Sequence, residues 1–430
     1  MRLVPVRIVE TVAPSRLGRS FRWLLASSVI SNVGDGIALA AGPLLVASQT
    51  RDPLLVSMAL LAQQLPNLLF GLPAGAIADR FDRRRIVAAV NLVRAAVLMV
   101  LAATIVEGAV SIAIVLAALF VLGTAEIFAD VSSSSLVPRV VPRAHLGVAN
   151  ARLTGSFLLT NLLLAPPIGA FLFSIGMALP FAANAACFAL GAVLVTRVVT
   201  DVADAAAERA RDRGGLRREM ADGVRWLIGN APMRTLALTI IAFNVTYGAA
   251  WGVLVLYASE RLGMDAVGFG LLTTALAIGG IIGTALYGGL ERRFALADIM
   301  RVGLLIETFT HLALALTTSA PVALATMVVF GGHATVWGTT STVVRQRAVP
   351  DELLGRVTGV YHIAVIGGMV VGTPIGGLLA REFGITAPFW FGFIGSAILV
   401  AVLWRQFDNI VHASEIGPDA DLGLAAGRQS

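Results

Sequence analysis

The chain has 430 residues, 57% of them hydrophobic and 13% charged, and its 32 basic against 26 acidic residues leave a net charge of +6. A chain this apolar cannot hide its hydrophobic surface in a soluble core, and its one cysteine, Cys187, excludes an internal disulfide or a cysteine-built metal site. Every basic residue is Arg, so no Lys-dependent phosphate-binding loop exists and a fused ATPase is excluded.

Twelve apolar stretches follow, each long enough for ~30 Å of hydrocarbon. They lie at about 20–47, 54–78, 86–106, 110–135, 146–172, 177–199, 233–259, 266–289, 297–317, 321–344, 354–380 and 386–407. Residues 1–20 are basic but run into a span too long for a cleaved signal. If the spans alternate, the Arg-rich sites share one side: Arg2 to Arg22, Arg80 to Arg85, Arg139/Arg143, Arg209 to Arg225, Arg292/Arg293 and Arg345/Arg347. The opposite side holds Arg51, Arg261 and Arg381. This positive-inside bias predicts a multi-pass protein of the cell (inner) membrane with both termini cytoplasmic, and it assigns the basic charge to topology rather than to nucleic acid.

Ionisable groups inside spans are the leads to chemistry, because each costs several kcal/mol unless paired or hydrated. Span one carries Asp35, with the neutral Asn32 near it a candidate for lining a cavity; span four carries Glu126 and Asp130 one turn apart. A buried carboxyl in a water-accessible cavity can carry a proton. Asp35, with no charged neighbour evident in the sequence, is the first candidate for proton coupling and Glu126 the second; a hydrogen-bonded structural role is the competing reading. Arg94, Asp130 and Arg152, at similar depth, are expected to form a structural charge cluster.

Span two ends in GLPAGAIADRFDRRR, where Gly75, Asp79, Arg80, Arg83 and Arg84 hold fixed spacing. Span five carries APPIGA, with Pro166 and Gly169, and span eleven carries GTPIGG, with Pro374, Gly376 and Gly377. Pro bends a helix and Gly permits close contact, as a gate needs, although a packing kink explains the residues as well. Between the halves, 216–229 places Leu216, Met220, Val224, Leu227 and Ile228 on one helical face, which predicts an amphipathic surface helix.

In the second half Asn244, Tyr247, Trp251, Glu307, His311, His333, Trp337, Tyr361 and His362 are candidates for lining a cavity. Two His with a carboxylate invite a metal reading, but the residues lack ligand spacing, and polar packing or cavity lining is favoured; no metal or cofactor is expected. His can titrate near neutral pH, which leaves a proton role open.

The chain is also a duplication. At an offset of 208, Pro142, Pro166 and Pro180 fall on Pro350, Pro374 and Pro388, and Arg139 on Arg347. Span one repeats at 212: Arg22/Arg234, Asn32/Asn244 and Gly36/Gly248. The predicted organisation is a six-helix bundle over 1–199, a cytoplasmic linker over 200–232, a second bundle over 233–408 and a disordered cytoplasmic tail over 409–430.

The loop after span two, the PxxLxGRV stretch at Pro350–Val357 and the segment SNVGDGIALAAGPLLV closely resemble the major facilitator superfamily, in its drug/macrolide-efflux and enterobactin-exporter-like branch. The resemblance implies an all-α membrane fold of twelve transmembrane helices in two six-helix bundles. It also implies a cytoplasmic latch in which Gly75, Asp79, Arg80, Arg83 and Arg84 face Gly355 and Arg356. Asp82 stands where the general pattern has Gly. Function is then expected to be export of hydrophobic or amphipathic small molecules by proton antiport, powered by the proton gradient without a cofactor, from a monomer in the bilayer. A proton-coupled importer of a small metabolite is the alternative. A receptor or a membrane enzyme is remote, since no catalytic set appears.

Overall fold

The computed structural model describes residues 14–78, 81–199 and 216–416. Among them the regular structure is all helical. The helices are α1 (Gly18–Gln49), α2 (Pro53–Ala78), α3 (Arg83–Val106), α4 (Ile112–Val140), α5 (Arg143–Ile175), α6 (Leu179–Val195) and α7 (Leu216–Gly229). They continue as α8 (Ala231–Gly252), α9 (Ala266–Arg293), α10 (Leu296–Leu316), α11 (Ala320–Ala348), α12 (Asp351–Phe383), α13 (Ala387–Leu403) and α14 (Gln406–Ile416). Ten of these are long and apolar enough to cross a membrane; α6 is a shorter apolar helix, and α13 with α14 forms a pair bent by 66°. The twelve expected spans thus correspond to α1–α6 and α8–α13.

Contacts sort the described chain into two units. The first holds α1, α2 from Met58 onward, α3–α6 and the Met264–Thr274 stretch that opens α9. The second holds Asp52–Ser57 and the remaining helices. The exchanged ends have local causes. In the second unit a Cβ on Gly377 would sit 2.3 Å from Ser57 Oγ, so the two segments already touch. In the first, a Cβ on Gly270 would sit 2.9 Å from that of Ala170.

The duplication is visible in how helices touch. A Cβ on Gly36 of α1 would lie 2.4 Å from the Asn161 carbonyl oxygen of α5. Its repeat partner Gly248 of α8 stands 2.5 Å, by the same measure, from the Met369 carbonyl oxygen of α12. Positions 161 and 369 are themselves 208 apart, so both units join their helices at one equivalent backbone point. Glycine is required at each because any side chain would strike main chain. Gly75, in contrast, has no described atom within 4 Å of such a Cβ, so close helix contact does not account for it here.

Proline acts differently in the two copies. Residues 158–164 of α5 run as a π-helix, closed by the Ala165 N–H reaching back to the Thr160 carbonyl. Pro166 and Pro167 follow and remove two consecutive donors, which forces the preceding turn to widen. Pro374 stands alone inside α12, and that helix stays α-helical.

The tail differs from expectation over 409–416. Gln406–Ile416 is helical because Phe407, Ile410 and Val411, spaced for one helix face, enter the core built around Met233, Leu236 and Val357. The amphipathic segment forms α7, with Leu227 buried in that same core.

Candidate functional site

Polar side chains in an apolar helix need a reason, and the first unit collects them around one cavity of about 150 Å³. Asp35 of α1 sits between two glycines that let α1 approach its neighbours. Gly34 is so close to α6 that a Cβ would stand 2.2 Å from Asn184 Oδ1, and Gly36 abuts α5. The sequence Gly-Asp-Gly thereby fixes the rotation of α1 that delivers Asp35 to the cavity.

Arg94 of α3 closes the cavity from another side. Its Nη2 donates to Asp35 Oδ1, and its guanidinium lies 3.8 Å from the Phe188 ring centroid on α6. Arg94 is 3% exposed and Asp35 13%. Burial of such a pair requires each charge to be met, because an isolated charge in this setting is far costlier than the pair. Glu126 and Asp130 of α4 line the same cavity, and both interact electrostatically with Arg94. Three carboxyls therefore share one buried guanidinium. If all three were charged they would outnumber it, and a proton or a cationic group would neutralise the excess.

The sequence-based expectation that Asp35 lacks a charged neighbour is corrected: helix packing brings Arg94 to it. Arg152, grouped with Arg94 and Asp130 by depth, is not among the residues lining the cavity. Sequence reasoning missed Gln63, Gln64, Asn67, Asn161 and Asn184, which supply neutral polar lining. Their signal was available, as amides inside apolar spans are few. Asn32 contacts Ser28 on its own helix at 3.5 Å.

The second unit holds its own buried polar set. Glu307 of α10 is 1% exposed, and each carboxylate oxygen meets one imidazole: Oε1 is 3.0 Å from His311 Nε2, and Oε2 is 3.1 Å from His333 Nε2 on α11. Each His engages a separate oxygen, as in a hydrogen-bonded chain. Around it Trp337 stacks on Phe243 at 6.0 Å, and Tyr247 stacks on Trp251 at 4.8 Å and on Phe330 at 5.8 Å. These rings pack against one another. Tyr361 is buried and donates to the Met233 carbonyl at 2.6 Å, which makes it a tie between α12 and α8. Asn244 donates to the Ile240 carbonyl of its own helix, and His362 is exposed.

Of the anticipated latch, Asp79 and Arg80 lie outside the described residues. Asp82 caps α3, accepting from the Arg84 and Arg85 backbone N–H groups at 2.9 and 3.4 Å, which explains an acid at that place in the loop. Arg84 donates to the Val198 carbonyl at 3.0 Å. Arg83 is buried at the start of α3. At the other site, Arg356 lies 3.7 Å from Asp222 of α7, and Gly355 has open space around it. Of the gate residues, Pro166 and Gly169 fall in α5, where a Cβ on Gly169 would meet the Ile37 carbonyl at 2.5 Å. Pro374, Gly376 and Gly377 fall in α12.

Comparison with known proteins adds a family. Residues 9–415 match the family model described as transmembrane secretion effector. The chain is 27% identical over 382 residues to the multidrug efflux pump Tap of Mycolicibacterium fortuitum, covering 85% of this chain and 90% of the pump. It is 23% identical over 398 residues to macrolide efflux protein A of Streptococcus pyogenes, covering 91% and 96%. In fold it is similar to a variant form of the nucleoside transporter NupG, with a TM-score of 0.72 at 12% identity over 91% of this chain and all, 100%, of that one.

Proposed function

This chain belongs to the transmembrane secretion effector family of the major facilitator superfamily, and from that premise we propose that it exports hydrophobic or amphipathic small molecules by proton antiport. The relatives named for multidrug and macrolide efflux support the direction and the substrate class. The observation that carries the coupling is the buried Asp35–Arg94 pair with Glu126 and Asp130 beside it.

The mechanism follows from the charge balance. With Asp35 ionised, Arg94 is held to α1. A proton on Asp35 removes that attraction and frees the guanidinium to turn toward Glu126 and Asp130 on α4. Protonation thereby exchanges an α1–α3 tie for an α3–α4 tie, a change of packing that can bias one arrangement of the helices over another. Substrate leaving and proton entering would alternate at this cavity, as alternating access requires. The termini and α7 are cytoplasmic in this reading, on the strength of the Arg distribution, and the protein works as a monomer. Arg356 with Asp222, and Arg84 with Val198, would anchor the two ends of a cytoplasmic latch to α7 and to the end of the first half.

The test is transport in proteoliposomes carrying a set pH gradient, with an ethidium-like dye and a macrolide as probes. Uphill movement against the proton flow, abolished by a protonophore and by Asp35→Asn, supports antiport. Proton-driven accumulation in the same direction as the proton would instead make the protein an importer.

A further inference from the structure

The cavity of the first unit holds more polar groups than the Asp35–Arg94 pair explains. Glu126 and Asp130 both line it, one turn apart on α4, and neither side chain has a hydrogen bond or ion pair among the described residues. Both can be reached. Asp130 is exposed and Glu126 half-buried, although Asp130 lies roughly 15 Å of helix rise from the end of α4 at Val140. Three amides face the same space: Gln64 and Asn67, one turn apart on α2, and Asn161 on α5. Asn161 is 7% exposed, and its side chain is likewise unpartnered among the described residues. Asn184 also lines the cavity, but its amide atoms are sealed from water and cannot meet a ligand.

We propose that this cavity takes the protonated primary or secondary amine of a compact apolar group, held between Glu126 and Asp130. Two carboxylates at this helical spacing repel each other, and a cation between them removes the repulsion. Among the described residues no group of three His, Cys, Asp or Glu is set to hold a metal ion, which leaves an organic cation. An alkylammonium is charged at neutral pH and has up to three N–H donors, as a Lys side chain does. The two carboxylates accept two of them, and the side-chain carbonyl of an amide such as Asn161 accepts a third. A quaternary ammonium has no N–H to give and leaves the amides unmet. Asn161 lies in the π-helical turn at 158–164, its backbone carbonyl against Gly36 and its side chain at the cavity.

Size narrows the occupant further. At about 150 Å³ the cavity matches the ~150 Å³ that accommodates benzene. It therefore holds one small ring or branched alkyl group with its amine, against Leu39, Leu119 and Leu122. A larger molecule inserts that end alone. Arg94 does not compete while Asp35 holds it, since its guanidinium is drawn to α1 and covers Phe188. Once Asp35 takes a proton, Arg94 turns to the α4 carboxylates and displaces the amine from them. Proton entry and substrate release thus meet on the same two side chains. The proposal rests on the export reading, whose substrate class it narrows to amines.

The test is binding of tritiated 2-phenylethylamine to the full-length protein in phosphatidylcholine nanodiscs, with empty nanodiscs as the blank. 2-Phenylethanol, of similar shape without charge, and trimethyl(2-phenylethyl)ammonium, charged without an N–H, serve as competitors. Unlabelled amine should displace the label at about tenfold lower concentration than either, the effect of one hydrogen bond to a charged group. Glu126→Gln and Asp130→Asn, which keep shape and remove charge, should each weaken the amine about tenfold, and Asn161→Met about threefold. Asp35→Asn should weaken it too, by freeing Arg94, and adding Arg94→Met should restore it. Where a variant fails to fold, the ranking of the three compounds on the wild type decides alone. No saturable binding of the amine, or equal competition by all three compounds, would overturn the site. Amine binding without uphill transport would remove antiport and leave the site standing; pH-driven export with no preference for the amine would do the reverse.

Discussion

Arg94 on α3 reaches across to Asp35 on α1 and covers the face of Phe188 on α6, so one guanidinium ties three helices of the first unit together. Arg94 is buried and Asp35 only 13% exposed, and the pair therefore matters to folding as well as to the proposed coupling.

Replacing Arg94 by Met should separate these roles. The variant leaves Asp35 buried without a counter-charge, and a loss of about 3–5 kcal/mol is expected from such a broken pair. Asp35→Asn combined with Arg94→Met should recover much of it. Thermal melting of the purified variants measures both, and an additive double variant would contradict the pairing.

Asp35→Asn alone should leave the protein folded but uncouple it. Net uphill export should fall to the level seen with a protonophore, while exchange of labelled for unlabelled compound persists. Unchanged uphill export would remove Asp35 from the coupling step.

Glu307 meets two imidazoles at once, and hydrogen bonds to a charged group contribute about 1.5–3 kcal/mol each. Glu307→Ala is expected to destabilise by roughly 3 kcal/mol or more. Glu307→Gln, which keeps the shape and one acceptor, should lose about half as much. Denaturant melts followed by fluorescence would show the ranking.

Glycine positions offer a contrast within one helix. At Gly372 a Cβ would stand 2.0 Å from the Val245 carbonyl oxygen, whereas at Gly367 it would meet nothing within 4 Å. Gly372→Ala should sharply reduce the yield of folded protein, and Gly367→Ala should be neutral or slightly stabilising, since Ala favours helix by up to ~1 kcal/mol over Gly. Size-exclusion recovery from matched expression reads the difference.

Much of the architecture was legible because its signals are long and repetitive: apolar runs and the 208-residue echo of Pro142, Pro166 and Pro180. The carboxylates of the site were legible too, since Asp35 and Glu126 stand out in apolar spans. Their partnership was not. Arg94 joins Asp35 through the rotation of two helices, and nothing in linear spacing encodes that rotation. The segment holding Phe407, Ile410 and Val411 carried a helical period that its polar surroundings obscured.

Asn161 and Met369 occupy one and the same structural station in the two copies, each lending its carbonyl oxygen to a glycine on the partner helix. The contact with glycine is made by the carbonyl oxygen of each residue, so it does not dictate the side chain carried there. One copy has turned that liberty into an amide beside the charged cavity, and the other carries a thioether. Exchanging these two side chains should therefore alter what the interior can solvate without loosening the fold, which makes the pair a natural place to re-engineer selectivity.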